Sequence, residues 1–250
     1  MTALLELDRL ARSFGAVNAV NGVSLAVEPR ERRALIGPNG AGKTTVFNLI
    51  TGQLTPNAGR ILFEGRPITD LTPHAIARRG LSRSFQRTNV FPRLTVLENM
   101  RLAAAANARG SYDLFGSVAR LAAPLAKARA IADAVGLADR AGEPAARLSY
   151  GEQRQLEVGI ALATSPKLLL LDEPTAGMSP EETQRMTQLL AGLPREVTLL
   201  IIEHDMDIVF SLADRITVLH GGEVLSEGTP AAVRADPRVY DVYLGTGDGK

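Results

Sequence analysis

Three short stretches stand out along the chain because apolar side chains occupy successive positions: "RRALIG" (Arg32–Gly37), "KLLLLD" (Lys167–Asp172) and "VTLLIIEHD" (Val197–Asp205). A strand wetted on one face alternates apolar and polar residues, so these runs predict central strands buried on both faces of a largely parallel sheet. The amino-terminal pattern differs. "LLELD", "SLAVE" and the stretch around Asn18 to Val20 are short, half-polar and separated by turns, as in an antiparallel sheet. Between about Thr88 and Ile160 strand signals stop, and Ala-rich helical stretches such as "SVARLAAPLAKARAIADAVGL" take over, with Gly136 as a helix stop. This order predicts an α/β fold with a helical subdomain inserted in it, the alternative being a second independent domain.

Two of the strand ends carry chemistry. "GPNGAGKTT" (Gly37–Thr45) follows "RRALI" directly and fits the spacing G-x-x-x-x-G-K-[ST]. Gly37, Gly40 and Gly42 permit a tight loop whose amides converge on phosphate oxygens, with Pro38, Asn39 and Ala41 completing it and a helix starting near Lys43. Lys43 supplies positive charge for the β- and γ-phosphates. Thr44 offers a hydroxyl to Mg²⁺, and Thr45 extends the loop into the helix. "LLLLDEPTAG" provides the second end: Asp172 terminates an apolar strand, where a carboxylate is costly unless it meets a cation, and Mg²⁺ is that cation. Glu173 points at the same mouth and is the expected general base for a water attacking the γ-phosphate. His204 follows "TLLIIE", placing it at the same carboxyl edge of the sheet, and Gln86 follows "LSRSF", from where its amide can reach Mg²⁺ or water.

"RLSYGEQRQLEVGI" predicts a helix capped by Ser149, with Glu152 closing a capping box. Gly151 does not fit that reading alone, since glycine in a first turn weakens the helix by roughly 0.5–1 kcal/mol. Something there requires bare backbone.

Composition excludes more than it assigns. The 250 residues are 45% hydrophobic with a formal charge of +1, enough for a sizeable core and without a basic stripe for nucleic acid or a polybasic membrane patch. The lack of Cys fits a reducing compartment, and the amino end lacks the pattern of a signal peptide, so a cytoplasmic location is expected. No apolar run approaches the length of about eighteen residues that a spanning helix requires.

In this order, "GPNGAGKTT", Gln86, "LSYGEQ", "LLLLDEP" and His204 resemble the ATP-binding subunits of ABC transporters over essentially the whole chain. The resemblance implies a RecA-like P-loop NTPase core (residues 1–87 and 161–250) with a mostly parallel sheet, an N-terminal antiparallel β part and a helical subdomain (88–160). It implies ATP and Mg²⁺ as cofactors, the metal held by Thr44, Gln86 and Asp172. It implies a head-to-tail dimer with a second ATPase subunit, a paralogue or a second copy, in which Ser149, Gly151 and the adjoining Glu152 bind the γ-phosphate of ATP on the other chain's P-loop. That role would explain the glycine. Phe14 stands where the family stacks a ring on adenine, His204 where it contacts the γ-phosphate, and Gln86 where the nucleotide is linked to the helical subdomain. Phe91 and Leu94 fall where two membrane-spanning permease subunits would dock, at the cytoplasmic face of the membrane. An external solute-binding protein would act indirectly, and no nucleic acid is expected.

Two positions depart from the family pattern: Tyr150 replaces the first glycine of LSGGQ, and "AGMS" (Ala176–Ser179) stands for Ser-Ala-Leu-Asp. Ser179 therefore lacks the carboxylate used in communication between paired sites. "RSFQRTNVFPRLTVLENM", "LSYGEQRQLEVGIALATSPKLLLLDEPTAGMSPEE" and "EGTPAAVRADPRVYDVYLG" resemble most the importer ATPases for branched-chain amino acids, urea and short amides, the Gln86 form being like the first of two paralogues. An ATPase of the lipopolysaccharide-export kind, a soluble ABC ATPase and a non-catalytic nucleotide-binding regulator are the other readings.

Overall fold

The computed structural model describes residues 2–84, 90–106 and 119–244. Its centre is a six-stranded sheet in the order β10-β9-β3-β8-β7-β6. The strands are β3 (Arg32–Ile36), β6 (Leu81–Ser84), β7 (Leu168–Asp172), β8 (Thr198–Ile202), β9 (Arg215–His220) and β10 (Glu223–Gly228). All pairings are parallel except the β9–β10 hairpin. Every residue of β3, β7 and β8 is buried, as the continuous apolar runs require. Period-two alternation explains how both faces are used. Leu168 and Leu170 of β7 and Leu200 and Ile202 of β8 pack toward helix α1 (Lys43–Ile50) and the amino-terminal sheet. Leu169, Leu171, Leu199 and Ile201 pack the other way, against α5 (Tyr150–Ala163), α6 (Pro180–Gly192) and α7 (Met206–Leu212).

The amino-terminal sheet has the order β2-β1-β4-β5 and is antiparallel throughout, formed by β1 (Leu5–Phe14), β2 (Val17–Val27), β4 (Ala58–Phe63) and β5 (Arg66–Pro67). Here the local reading fell short: the segments expected as short separate strands are two long ones. Register shifts after Leu7 and Leu10 break up the alternation of β1, so a long strand looks like fragments. Short helices α2 (Pro73–Arg78), α8 (Pro230–Arg234) and α9 (Pro237–Leu244) cover the periphery.

Helices α3 (Val96–Ala106), α4 (Ala119–Ala134) and the amino-terminal half of α5 share a separate apolar cluster, including Val96, Met100, Ala128, Ala132, Val135 and Leu156. Gly136 ends α4 with φ +71°. The carboxyl half of α5 belongs to the central core through Val158 and Ala161, so one helix joins the helical cluster to the sheet. Among the described residues no helix is long and apolar enough to cross a membrane.

Two arginines open the buried strand β3. Arg33 is 2% exposed and meets Glu31 at 2.5 Å, Glu227 at 3.1 Å, Thr217 Oγ1 at 2.9 Å and the Ala26 carbonyl at 2.8 Å. Breaking a buried pair leaves an uncompensated charge, which costs more than replacing the whole pair. Arg33→Ala is expected to lower unfolding free energy in urea by about 3–5 kcal/mol, and Arg33→Met combined with Glu31→Gln by less than Arg33→Ala alone.

Candidate functional site

Strands β3, β8 and β7 are neighbours in the sheet, so the loops leaving their carboxyl ends converge. The first is the Gly-rich loop. A Cβ at Gly37 would lie 2.2 Å from the Leu219 carbonyl oxygen on β9, and one at Gly42 would lie 2.3 Å from that of Ala19 on β2. The loop is thus wedged between backbone on both sides, which only glycine allows. Gly222 N–H donates to the Ala41 carbonyl (3.2 Å) and Ala41 N–H to that of Pro38 (3.2 Å), fixing the curve. Asn39 and Gly40 face outward at its apex, and Thr44 is exposed in the first turn of α1, with Thr45 half-buried beside it. Phe14 stands at the β1–β2 hairpin end, paired with Val17, 46% exposed, its ring 4.9 Å from the Arg12 guanidinium carbon.

Lys43 is 6% exposed and donates to the carbonyls of Gly37 (2.6 Å) and Pro38 (3.0 Å). Burial draws its pKa below the ordinary lysine value, and the nearby carboxylates of Glu173 and Asp172 oppose that shift. Asp172 ends β7 fully inside, with its Oδ2 accepting from Arg83 at 2.7 Å. Burial pushes its carboxyl up and the Arg83 guanidinium pulls it back. Among the described residues Asp172 Oδ1 is buried without a hydrogen-bond partner, a donor oxygen of the kind a hard cation takes.

Beyond Asp172 the backbone reverses at Glu173, whose φ is +50°, a conformation that costs a non-glycine residue about 1–3 kcal/mol. The turn is held by Glu173 N–H donating to the Ile202 carbonyl on β8 (2.9 Å). It brings Glu173 Oε1 to 2.6 Å from His204 Nε2. An ionised carboxylate only accepts, so with Glu173 ionised the bond is donated by His204 Nε2–H. Lys43, Asp172, Glu173 and His204 therefore meet at one edge, as expected from sequence. Gln86 lies outside the described residues.

Ser149, Gly151 and Glu152 are brought together elsewhere. Ser149 caps α5 and the capping box closes, with Glu152 Oε2 accepting from Ser149 N–H at 2.8 Å. Glu152 Oε1 accepts from Arg140 at 3.2 Å. The same helix start carries a carboxylate from α6: Glu182 Oε1 accepts from Gly151 N–H (3.2 Å) and from Ser149 Oγ (3.4 Å). A Cβ at Gly151 would fall 2.6 Å from that oxygen. Within this chain, then, the bare backbone admits Glu182. Its carboxyl is held below the usual range chiefly by Ser179 N–H, which Oε2 accepts as the cap of α6.

Both departures from the family pattern have visible work. Tyr150 donates its hydroxyl to the Ala176 carbonyl (3.1 Å), and Arg154 donates to that hydroxyl and stacks on the ring at 5.3 Å. Ser179 is the N-cap of α6. Sequence reasoning missed Arg83, Glu182, Glu203 and Asn99. Asn99 is 2% exposed and clamps the loop before α3, accepting from Phe91 N–H (2.8 Å) and donating to the carbonyls of Phe91, Leu94 and Thr95. That clamp leaves the Phe91 side chain 59% exposed and Leu94 half-buried. A polar residue amid the apolar positions of α3 was the one available signal.

The ABC transporter family model matches residues 20–176, and that of the branched-chain amino acid ATP-binding cassette transporter matches residues 223–249. The high-affinity branched-chain amino acid transport ATP-binding protein BraF of Pseudomonas aeruginosa is 41% identical, covering 97% of this chain and 98% of its own length. Among solved structures, an ATP-binding cassette of an ABC transporter superposes with a TM-score of 0.84 at 32% identity, covering 98% of this chain and 100% of the other. A dimeric post-hydrolysis cassette bound to ADP and Pi matches with a TM-score of 0.76 at 25% identity, covering 90% and 98%. With a Gly-rich loop, two strand-end carboxylates and a histidine at one sheet edge, and a relative that matches it over 97% of its length, the chain belongs to the ATP-binding subunits of ABC transporters, in the group of the branched-chain amino acid transport proteins.

Proposed function

We propose that this chain hydrolyses ATP to drive import of branched-chain amino acids or related small solutes such as urea and amides, as the first of two paralogous ATPases. The observation that carries the mechanism is the meeting of Glu173 and His204 at 2.6 Å beside the buried Lys43. Lys43 would exchange its two loop carbonyls for the β- and γ-phosphate oxygens of ATP, and the loop amides from Gly37 to Thr45 would take the remaining oxygens. Phe14, exposed at the hairpin end, would stack on adenine. His204 would turn its Nε2–H from Glu173 to the γ-phosphate, releasing the carboxylate to accept a proton from the attacking water. Water oxygen bonds to the γ-phosphorus, the bond to the β–γ bridging oxygen breaks, and ADP leaves with the electron pair.

Asp172, whose buried Oδ1 has no partner among the described residues, and the Thr44 hydroxyl fit a hard divalent cation, and Gln86 would be the third ligand. Bound Mg²⁺ supplies neutralisation of the phosphate charge.

Ser149, Gly151 and Glu152 form no hydrogen bond with the Gly-rich loop among the described residues, which supports their service to a second ATPase subunit packed head to tail. Closure around two nucleotides would move the helical region, residues 88–160, against two permease subunits at the cytoplasmic face of the membrane. The exposed Phe91, on its Asn99-clamped loop, is the contact we assign to them. The dimeric structure of a related cassette supports the pairing of two ATPase subunits.

Glu173→Gln is expected to lower ATP turnover by about 10²–10⁴-fold while leaving ATP affinity intact; near-normal turnover would remove Glu173 as the base. Lys43→Ala is expected to weaken ATP binding itself, measured by equilibrium titration with a fluorescent ATP analogue, and an unchanged affinity would argue against the phosphate contact. Uptake of labelled leucine into vesicles carrying the assembled transporter tests the solute: uptake that requires ATP and fails with Glu173→Gln supports the importer reading.

A further inference from the structure

One carboxylate next to the catalytic edge takes no part in the scheme above. Glu203, between β8 and His204, is 4% exposed. Its Oε1 accepts from Thr175 Oγ1 at 2.6 Å and from Thr175 N–H at 3.2 Å, and its Oε2 accepts from His204 N–H at 3.1 Å. Among the described residues no Lys or Arg pairs with it. Burial pushes its carboxyl up, and the three donors pull the other way. A buried carboxylate without a cation is an expensive way to fill space, so its three specific bonds need a reason.

The reason lies in the strand ends. The β7–β8 ladder closes with Asp172 opposite Ile202, and the left-handed turn at Glu173 then carries the chain out of strand geometry. One backbone rung, from Glu173 N–H to the Ile202 carbonyl, survives the turn. Past it, Thr175 N–H and His204 N–H donate to no backbone carbonyl among the described residues, and the Glu203 side chain serves both as acceptor. We propose that Glu203 is a positioning residue for hydrolysis: its carboxylate ties the His204 peptide to the Thr175 turn, so that the His204 ring and the Glu173 carboxylate stay in register. This rests on the reading of Glu173 and His204 given above.

Three donors on two oxygens call for a carboxylate. A glutamine has one acceptor oxygen, and satisfying Thr175 with it turns an NH₂ group toward His204 N–H, donor against donor. At Thr175 the hydroxyl is the part that matters, so serine serves and valine does not.

The test measures ATPase kinetics in the assembled transporter, purified through a tag on this chain, for Glu203→Gln, Thr175→Val, Thr175→Ser, His204→Ala and the double variant Glu203→Gln/His204→Ala. Glu203→Gln and Thr175→Val should each lower kcat by about tenfold or more with KM for ATP within about threefold, while Thr175→Ser stays close to wild type. In the His204→Ala background Glu203→Gln should change kcat by less than about twofold, because its effect runs through His204. Normal kcat in Glu203→Gln, equal losses in Thr175→Val and Thr175→Ser, or full multiplication of the two effects in the double variant would overturn the proposal. A slow His204→Ala beside a normal Glu203→Gln removes this inference alone; a His204→Ala protein with normal turnover removes the reading of His204 along with it. If Glu203→Gln fails to assemble, the Thr175 pair decides.

Discussion

Charge at the end of an apolar strand is the constraint around which this molecule is arranged. β3, β7 and β8 lie wholly inside, so each polar group at their carboxyl ends sits at a boundary where solvent gives little help and every partner must come from the protein or a ligand. The three carboxylates there are met in three ways. Asp172 takes a guanidinium on one oxygen and leaves the other without a donor among the described residues. Glu203 takes three neutral donors. Glu173, more exposed than either, takes an imidazole. Their different partners distinguish groups that look alike in sequence: one with an oxygen open to a cation, one held by three bonds, one paired with a half-exposed imidazole.

The same constraint explains what could be seen before the structure. Strands buried on both faces betray themselves by unbroken apolar runs, and the Gly-rich loop by the spacing of its glycines, at two of which, Gly37 and Gly42, the structure puts a Cβ into backbone. Capping boxes are local, so Ser149 and Glu152 were legible within four residues. Contacts between distant segments were not. Arg83 reaches Asp172 across 89 positions and Thr175 reaches Glu203 across 28, and neither pair has a local pattern. The long strand β1 was hidden because its bulges interrupt the alternation that would have marked it.

Tyr150 and Ser179 show how a departure from a family pattern can be reorganisation instead of loss. The tyrosine ring ties the start of α5 to the loop after Glu173 by its hydroxyl, and Ser179 starts α6 with a closed cap. The loop from Thr175 to Ser179 is thereby held from three directions: by Glu203 at its beginning, by Tyr150 in its middle, and at its end by the α6 cap, whose Glu182 also reaches Gly151.

That last contact has a thermodynamic meaning for the start of α5. Ser149 and Gly151 already hold an anion belonging to their own chain, the Glu182 carboxylate. An anion arriving at this helix terminus would therefore enter by substitution, taking over hydrogen bonds that exist instead of creating them. In such an exchange the donors would pass from one anion to another, and the free energy of arrival would be set by the difference between the two. A phosphate, with more charge and more acceptor oxygens than a carboxylate, has the advantage in such an exchange, and its departure is eased by a competitor that remains tethered beside the site.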